Sequence, residues 1–289
     1  MGFVTPKTAR KTAAVCLTAL WAFGAAWAMA AQDEHAGTPG AATELSKMQP
    51  LKLTVVKAFP EVGGGQQGIA TDGEHVYVQS THLLVKYDLD GNVLAKGAEL
   101  RWHHGGITYH DGKIYAAVSE CCRQGTDKHW VCVYDAETLE QVAGHDVGKF
   151  FGVCAGGIAY LDGHFYVAES YFDNDHDDFV VKFDADFNFV QSFRIDFKCP
   201  YGIQGLDYVP SINKFLVNSH AREFYLIDPD LDSASIEPRL APFELQDVAC
   251  LDASTFLFND RSGKKVAFVR LDRPEGPLPR GNDCGPNTP

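Results

Sequence analysis

The chain has 289 residues with 25 basic and 38 acidic side chains, which gives a formal net charge of −13. This excess of negative charge makes nucleic acid and anionic membrane surfaces poor partners, because both are themselves negatively charged. With 45% hydrophobic and 12% aromatic residues, the chain can bury a sizeable core. We therefore expect a globular domain whose partner is another protein or a small molecule.

The first 30 residues have the pattern of a secretory signal peptide. Three basic side chains between positions 7 and 11 precede an uncharged apolar run that ends in Ala-Met-Ala at Ala30. A basic start, an apolar middle and small residues at the end are typical of cleavable export signals. An uncleaved membrane anchor is the alternative, since a run of this length could just span a bilayer. We predict a periplasmic or secreted protein that begins near Ala31 after cleavage.

From residue 68 onward the chain repeats one hairpin pattern five times. Each copy has a short apolar strand, a tight turn and a second alternating strand, and a third strand that ends in an acidic turn follows it. The copies are GIATDGEHVYVQS (68–80), GITYHDGKIYAAVS (106–119), GIAYLDGHFYVAES (157–170), GLDYVPSINKFLVNS (205–219) and DVACLDASTFLFND (247–260). They begin at intervals close to the roughly 40–45 residues of a four-stranded propeller blade.

The fifth copy lacks a fourth strand of its own, because the chain becomes rich in proline after Asp272. The segment LKLTVVKAF at 51–59 has the composition of a fourth strand and lies before the first copy. A radial ring of sheets protects its strand edges, and a strand from the start of the chain can complete the last sheet. We predict an all-β, five-bladed β-propeller over 51–272 with four antiparallel strands per blade, between a flexible linker at 31–50 and a Pro/Gly-rich tail at 273–289.

These hairpins resemble the NHL-like and quinoprotein-like families of secreted propellers, whose loose signature is G-[IL]-A-x-D-G, then [VI]-Y-V, then K-[YF]-D-x-[DE]-G. That resemblance implies a fold only. The segments Gln66–Ile69 and Val133–Leu139 are also similar to segments of the five-bladed glutaminyl cyclases of plants and bacteria. The acidic residue of that family on the second strand of blade 1 corresponds to a position near Gln79, and a glutamine cannot do acid–base work. Gluconolactonase-type propellers place carboxylates and asparagine around a divalent metal, and no such set is obvious in this sequence.

The topology of a propeller sorts the connections of the five copies onto two faces. The short-turn face receives tight turns such as Asp72-Gly73, Asp111-Gly112 and Asp162-Gly163, whose residues suit two-residue hairpins. The loop-rich face receives the segments that precede each first strand and the long loops that follow each second strand. Long loops on a rigid scaffold are where binding groups are usually placed. We predict a ligand-binding site on the loop-rich face, at the mouth of the central channel.

The candidate binding residues are polar side chains at or near this channel mouth. They are Gln67, His82, His104, Gln204, His220, Gln246 and Asp247. Each of them could instead hydrogen-bond the exposed backbone ends around the channel. Neighbouring side chains of an extended strand alternate in direction, so His103 and His104 cannot both point inward. Of these two histidines we assign His104 to the channel.

The mature chain has seven cysteines, which in an exported protein favour disulfides over metal ligands. Cys154 and Cys199 occupy corresponding segments of adjacent blades and could bridge them. Cys122 with Cys132 would close the base of the long loop in blade 2. A vicinal bond between Cys121 and Cys122 is the alternative.

The loop at 173–178 presents alternating carboxylates. Asp173, Asp175 and Asp177 could begin to supply the six to eight oxygens that a calcium ion needs. A solvated acidic loop tip is the alternative, because the loop lacks the glycine and the terminal glutamate of a full calcium loop. Calcium is the one cofactor that the sequence suggests.

Two classes of function remain open. The first is an exported binding module that uses the loop-rich face at the central channel for a protein partner or a small ligand. The second is a propeller enzyme of glutaminyl-cyclase or lactonase type with its site at the same mouth. The sequence has no nucleophile-elbow, phosphate-loop or His-Glu-x-x-His pattern. This absence argues against hydrolase or nucleotide chemistry. The fold alone does not choose between the two classes.

Overall fold

The structure is a computed structural model that describes residues 52–63, 66–120, 128–171, 176–196 and 199–272. The segments predicted to be the signal peptide, the linker and the tail lie outside these residues. Within the described ranges the chain forms 20 β-strands and two short 3-10 turns, Gly148–Phe150 and Ser233–Ser235. None of the described residues belongs to a helix that is long and apolar enough to cross a membrane.

The strands form five antiparallel sheets of four strands each, arranged as the blades of a five-bladed β-propeller. Blade 1 contains β2 (Gln66–Thr71), β3 (His75–Ser80), β4 (Leu84–Asp88) and β5 (Val93–Lys96). Blade 2 contains β6 (His103–His110), β7 (Lys113–Ser119), β8 (His129–Asp135) and β9 (Gln141–Asp146). Blade 3 contains β10 (Cys154–Leu161), β11 (His164–Ser170), β12 (Asp178–Asp184) and β13 (Phe189–Ile195).

Blades 4 and 5 complete the ring. Blade 4 contains β14 (Gly205–Val209), β15 (Lys214–Asn218), β16 (Glu223–Ile227) and β17 (Glu237–Leu240). Blade 5 contains β18 (Leu245–Cys250), β19 (Thr255–Asp260) and β20 (Lys265–Asp272), with β1 (Lys52–Pro60) as its outermost strand. The predicted five-bladed architecture, including the N-terminal strand that completes the last blade, is confirmed.

Strand β1 closes the ring by contacts on both sides. It pairs antiparallel with β20, from Lys52 opposite Asp272 to Pro60 opposite Lys265. The Lys57 ammonium then donates to the Leu89 carbonyl oxygen and to the carboxylate of Asp90 in blade 1, each at 2.6 Å. The last blade is therefore tied to the first by the start of the domain.

Among the described residues, the five largest hydrophobic clusters lie one between each pair of adjacent blades. Tyr77 of blade 1 packs with Ile107 of blade 2, for example, and Phe59 and Leu257 of blade 5 pack with Ile69 of blade 1. Burying one such side chain contributes about 1.5–3 kcal/mol. Because each cluster needs two neighbouring blades, a sheet that loses its neighbour exposes its apolar face.

The centre of the ring is filled by backbone atoms. The first residue of each of the five hairpin copies lies there. Four copies have glycine at this position and the fifth has Asp247. A Cβ atom on Gly106 would lie 3.0 Å from the Gly157 Cα atom of blade 3 and 3.1 Å from the Gln204 carbonyl oxygen of blade 4. Only glycine allows inner strands to approach this closely.

Two of the predicted disulfides are wrong. Cys132 and Cys199 are buried free thiols, so neither the Cys154–Cys199 bridge nor the Cys122–Cys132 bridge forms. Cys132 packs in the core between blades 1 and 2, and Cys199 packs in the core between blades 3 and 4. Burial raises the pKa of Cys132 to about 11 and raises that of Cys199 as well. Both side chains therefore act as small, protonated core residues.

Candidate functional site

Three blades contribute to a hydrogen-bonded group at the loop-rich end of the channel. The Gln246 amide nitrogen lies 3.1 Å from Gln67 Oε1 and 2.8 Å from His220 Nε2. The Tyr201 and His220 rings are 5.7 Å apart, and Gln204 Nε2 donates to the Tyr201 carbonyl oxygen at 2.8 Å. We call these five residues the mouth cluster. Four of the predicted site residues, Gln67, Gln204, His220 and Gln246, are thus brought together.

The hydrogen bonds of the mouth cluster determine the charge state of its histidine. An amide nitrogen can only donate, so His220 Nε2 must accept and its single proton must reside on Nδ1. Burial and, to a smaller extent, the charges of Arg261 and His103 lower the pKa of His220 to about 3. The imidazole is therefore neutral at physiological pH, and its Nδ1–H is a hydrogen-bond donor.

Bulges in the inner strands explain why consecutive residues both reach the channel. The pairing of β18 with β19 shifts register between Leu245 and Val248, and the pairing of β2 with β3 shifts between Gln66 and Gly68. A bulge interrupts the regular alternation of side chains along a strand. Gln246 can therefore join the mouth cluster while the next residue, Asp247, occupies the ring centre.

A layer of buried amide side chains from blades 1, 4 and 5 accompanies the mouth cluster. Gln79, Asn218 and Asn259 occupy the same position near the ends of β3, β15 and β19, and each is fully buried. Each has at least one polar atom without a hydrogen-bond partner among the described residues, as do the buried Gln66 and Gln246. An unpaired buried polar atom costs about 1–3 kcal/mol. The unpaired atoms of this layer can therefore hydrogen-bond a polar molecule or ordered water.

Sequence reasoning missed this amide layer, although a signal was available. The second strands of these copies end in VQS, VNS and FND, with the amide one residue before the end. Asn218 Oδ1 and Asp247 Oδ1 both lie within 2.5 Å of the Cβ atom that a side chain at Gly205 would have. The layer therefore reaches the ring centre, next to the glycine positions.

The assignment of His104 to the channel is wrong. His104 is buried, its Nε2 atom lies 2.6 Å from the Tyr134 hydroxyl, and its Nδ1 atom lies 2.9 Å from the Trp102 carbonyl oxygen. Burial lowers its pKa to about 4. The alternating neighbour His103 is instead the histidine whose charge affects His220.

Two other predicted residues lie apart from the mouth cluster. Asp247 lies at the ring centre, where Oδ2 accepts hydrogen bonds from the Ile69 and Ile107 amides at 2.9 and 3.3 Å. Its Oδ1 accepts from the Val248 amide at 2.9 Å. Burial raises its pKa well above the usual range for a carboxyl. His82 is exposed, and its Nδ1 atom lies 3.1 Å from the Leu100 carbonyl oxygen.

Part of the predicted calcium and cysteine sets falls outside the described residues. This applies to Asp173, Asp175, Cys121 and Cys122. Asp177 forms an ion pair with Arg194 at 2.6 Å. Across the described ranges, no group of three or more His, Cys, Asp or Glu side chains is placed to hold a metal ion.

No protein-family profile matches the chain, and no curated protein matches its sequence. In structure the chain is similar to a glutaminyl cyclase of Myxococcus xanthus, with a TM-score of 0.62 and 13% identity over 78% of this chain and 100% of that one. It is less similar to a Bacteroides thetaiotaomicron protein of unknown function, with a TM-score of 0.49 and 11% identity over 77% of this chain and 72% of that one. A PQQ-bound aldose sugar dehydrogenase of Streptomyces coelicolor has a TM-score of 0.48 and 10% identity over 77% of this chain and 99% of that one. The similarity to the glutaminyl cyclase shows the propeller fold alone, as the sequence resemblance predicted.

Proposed function

We propose that the protein is an exported β-propeller that binds a small, polar and uncharged ligand at the mouth cluster. The observation that carries this proposal is the Gln67–Gln246–His220 chain, which joins three blades at the channel mouth through neutral groups. Export is supported by the signal-peptide pattern of the first 30 residues.

The mouth cluster offers the hydrogen-bonding groups that such a ligand needs. The Nδ1–H of His220 donates, and the oxygen atoms of the nearby amide side chains accept. The His220 and Tyr201 rings add flat, partly apolar surface. A few polar groups that converge beside aromatic rings are typical of small-molecule sites. A ligand with hydroxyl or amide groups fits this set better than an ion does.

Binding is favoured over catalysis because two carboxylates, Asp247 on β18 and Glu169 on β11, are engaged in the scaffold. Asp247 accepts three backbone hydrogen bonds. Glu169 accepts from the amides of Gly152 and Val153 and from the Tyr171 hydroxyl. A general acid or base must reach the proton that it transfers, and these oxygens are already occupied.

The protein as purified from its native host provides the test. Denaturation should release a small molecule that mass spectrometry can identify and quantify. Gln67→Ala and Gln204→Ala should each reduce its occupancy or affinity about tenfold, the effect of losing roughly 1.4 kcal/mol of binding energy. Asp111→Asn, on the short-turn face, should retain it. Full binding by both mouth variants would overturn the proposal.

A further inference from the structure

A cavity lies at the end of the channel opposite the mouth cluster, on the short-turn face. Its volume is about 90 Å³, and residues from all five inner strands line it. Asp247 and the glycine-packed backbone lie between this cavity and the mouth cluster. The cavity therefore belongs to a different site from the one proposed above.

One carboxyl group in this cavity has no cationic partner among the described residues. Asp207 is half-buried, and its Oδ2 atom accepts a hydrogen bond from the Cys250 amide at 2.7 Å. No lysine, arginine or histidine in the described part of the chain forms an ion pair with it. Burial raises the pKa of Asp207 to about 7, although the Cys250 and Tyr208 amides oppose this. The other acid in the lining, Asp72, already accepts hydrogen bonds from His75, Glu74 and Tyr77.

Three tyrosines line the same cavity as Asp207 because of the repeat. Tyr109, Tyr160 and Tyr208 occupy the same position in the inner strands of blades 2, 3 and 4, and all three line the cavity. The Tyr208 hydroxyl donates to Asn213 Oδ1 at 2.7 Å, and the Tyr109 hydroxyl accepts from the Gly112 amide at 3.2 Å. These two hydroxyls are held at the turns.

We propose that this cavity binds a small organic ammonium ion. The Asp207 carboxylate supplies the counter-charge, and the tyrosines of the lining supply electron-rich aromatic rings, which attract ammonium groups. A hard metal ion needs several oxygen ligands, whereas this cavity offers one carboxylate that is not already saturated. An anion would be repelled by Asp207 and by the net charge of −13.

Binding should depend on pH because only ionised Asp207 attracts the cation. The other titratable groups that line the cavity are Asp72, Tyr109, Tyr160 and Tyr208, and Asp247 lies towards the ring centre. With a pKa of about 7, the ionised fraction of Asp207 falls from about 90% at pH 8 to about 10% at pH 6. We expect affinity to fall about tenfold over this range.

The test uses tert-butylammonium chloride as the probe and tert-butanol, which is neutral and similar in shape, as its control. Calorimetric titration of the purified mature protein at constant ionic strength should show binding of the ammonium ion and at least tenfold weaker binding of the alcohol. Asp207→Asn should weaken ammonium binding at least tenfold while its melting transition stays cooperative. Asp111→Asn makes the same charge change outside the cavity and should bind as wild type does.

Three results would overturn this proposal. They are equal binding of the alcohol and the ammonium ion, wild-type affinity in the Asp207→Asn variant, and displacement of the ammonium ion by calcium at equal concentration. Ligand occupancy at the mouth cluster is measured separately, so failure here leaves the proposed function standing.

Discussion

Two carboxyl groups near the centre of the ring belong to residues that depart from the repeat. At the first repeat position four copies have glycine and one has Asp247; at the third position the other copies have Ala or Thr and one has Asp207. Each departure places one carboxyl group near the axis, where all five blades converge. Both positions are visible in the sequence when the five copies are aligned, although only Asp247 was among the predicted site residues. The cavity beside Asp207 could not be predicted, because it depends on how closely five strands pack.

The side-chain directions of His103 and His104 could be predicted only in part. Alternation along β6 required that one histidine face the channel and the other face the blade, but the register shift between His104 and Ile107 is not visible in the sequence. The same difficulty affected Cys132 and Cys199, whose partners were inferred from loop positions while their side chains are part of the core. Burial, rather than residue type, decides these roles.

His104→Phe should lower stability and leave ligand binding unchanged. The ring volume is retained, but the Tyr134 hydroxyl and the Trp102 carbonyl oxygen lose their shared partner. We expect a loss of about 2 kcal/mol in the free energy of unfolding, measured by urea denaturation. His103→Ala should show the reverse pattern, with weaker binding and near wild-type stability. Weaker binding in the His104 variant at wild-type stability would contradict the assignment.

Asp207→Asn should stabilise the protein, and the gain should depend on pH. The folded-state pKa of Asp207 is about 7, above the ordinary value of 3.8. Between pH 4 and pH 7 the folded state therefore binds this proton more tightly than the unfolded state does. Wild-type stability should therefore fall as pH rises from 4 to 7, and the variant should lack this component. The variant should melt at a higher temperature than wild type at pH 8 and at nearly the same temperature at pH 4. A constant difference across this range would contradict the raised pKa.

At the scale of elements, the closing strand β1 has a buried side and an exposed side that can be tested separately. Phe59 is buried, with its ring 5.2 Å from that of Tyr87 in blade 1 and 6.0 Å from that of Phe268 in blade 5. Val56, on the same strand, is 48% exposed. Strand β1 therefore stabilises the ring mainly through the Phe59 side chain and through the backbone hydrogen bonds between β1 and β20.

Phe59→Ala should destabilise the domain by about 3 kcal/mol or more, as expected for an aromatic side chain removed from a core. Val56→Ala should change stability by less than about 0.5 kcal/mol, because its side chain already faces solvent. Thermal unfolding of both variants gives the comparison. Deletion of residues 51–59 should have a larger effect than Phe59→Ala, since it also exposes the edge of β20. Equal stability of the two point variants would contradict closure by β1.

The tight turns on the short-turn face owe their sequence to backbone conformation. Asp111 and Asp162 have φ values of 46° and 47°, and the glycines that follow also have positive φ. This conformation costs most residues about 1–2 kcal/mol, but asparagine tolerates it. Asp111→Ala should therefore lower the free energy of unfolding by about 1 kcal/mol, and Asp111→Asn should not. Equal losses in the two variants would show that the side-chain carboxylate, rather than φ, is responsible.

At the scale of the whole molecule, the architecture was predictable because each blade carries its own strand and turn pattern. The repeat gave the number of blades, and the missing fourth strand in the fifth copy pointed to LKLTVVKAF as the closing strand. The same regularity placed four of the site residues at the channel mouth. The identity of the ligand could not be predicted in this way, because a binding site forms where the copies differ rather than where they repeat.

The most direct test of the account is a crystal structure of the protein purified from its native host with its ligand retained. We predict electron density for a small neutral molecule at the loop-rich end of the channel, within hydrogen-bonding distance of His220 Nδ1 and the side chains of Gln67 or Gln204. Density for a stoichiometric ligand elsewhere, with the mouth cluster holding only water, would contradict the proposed site.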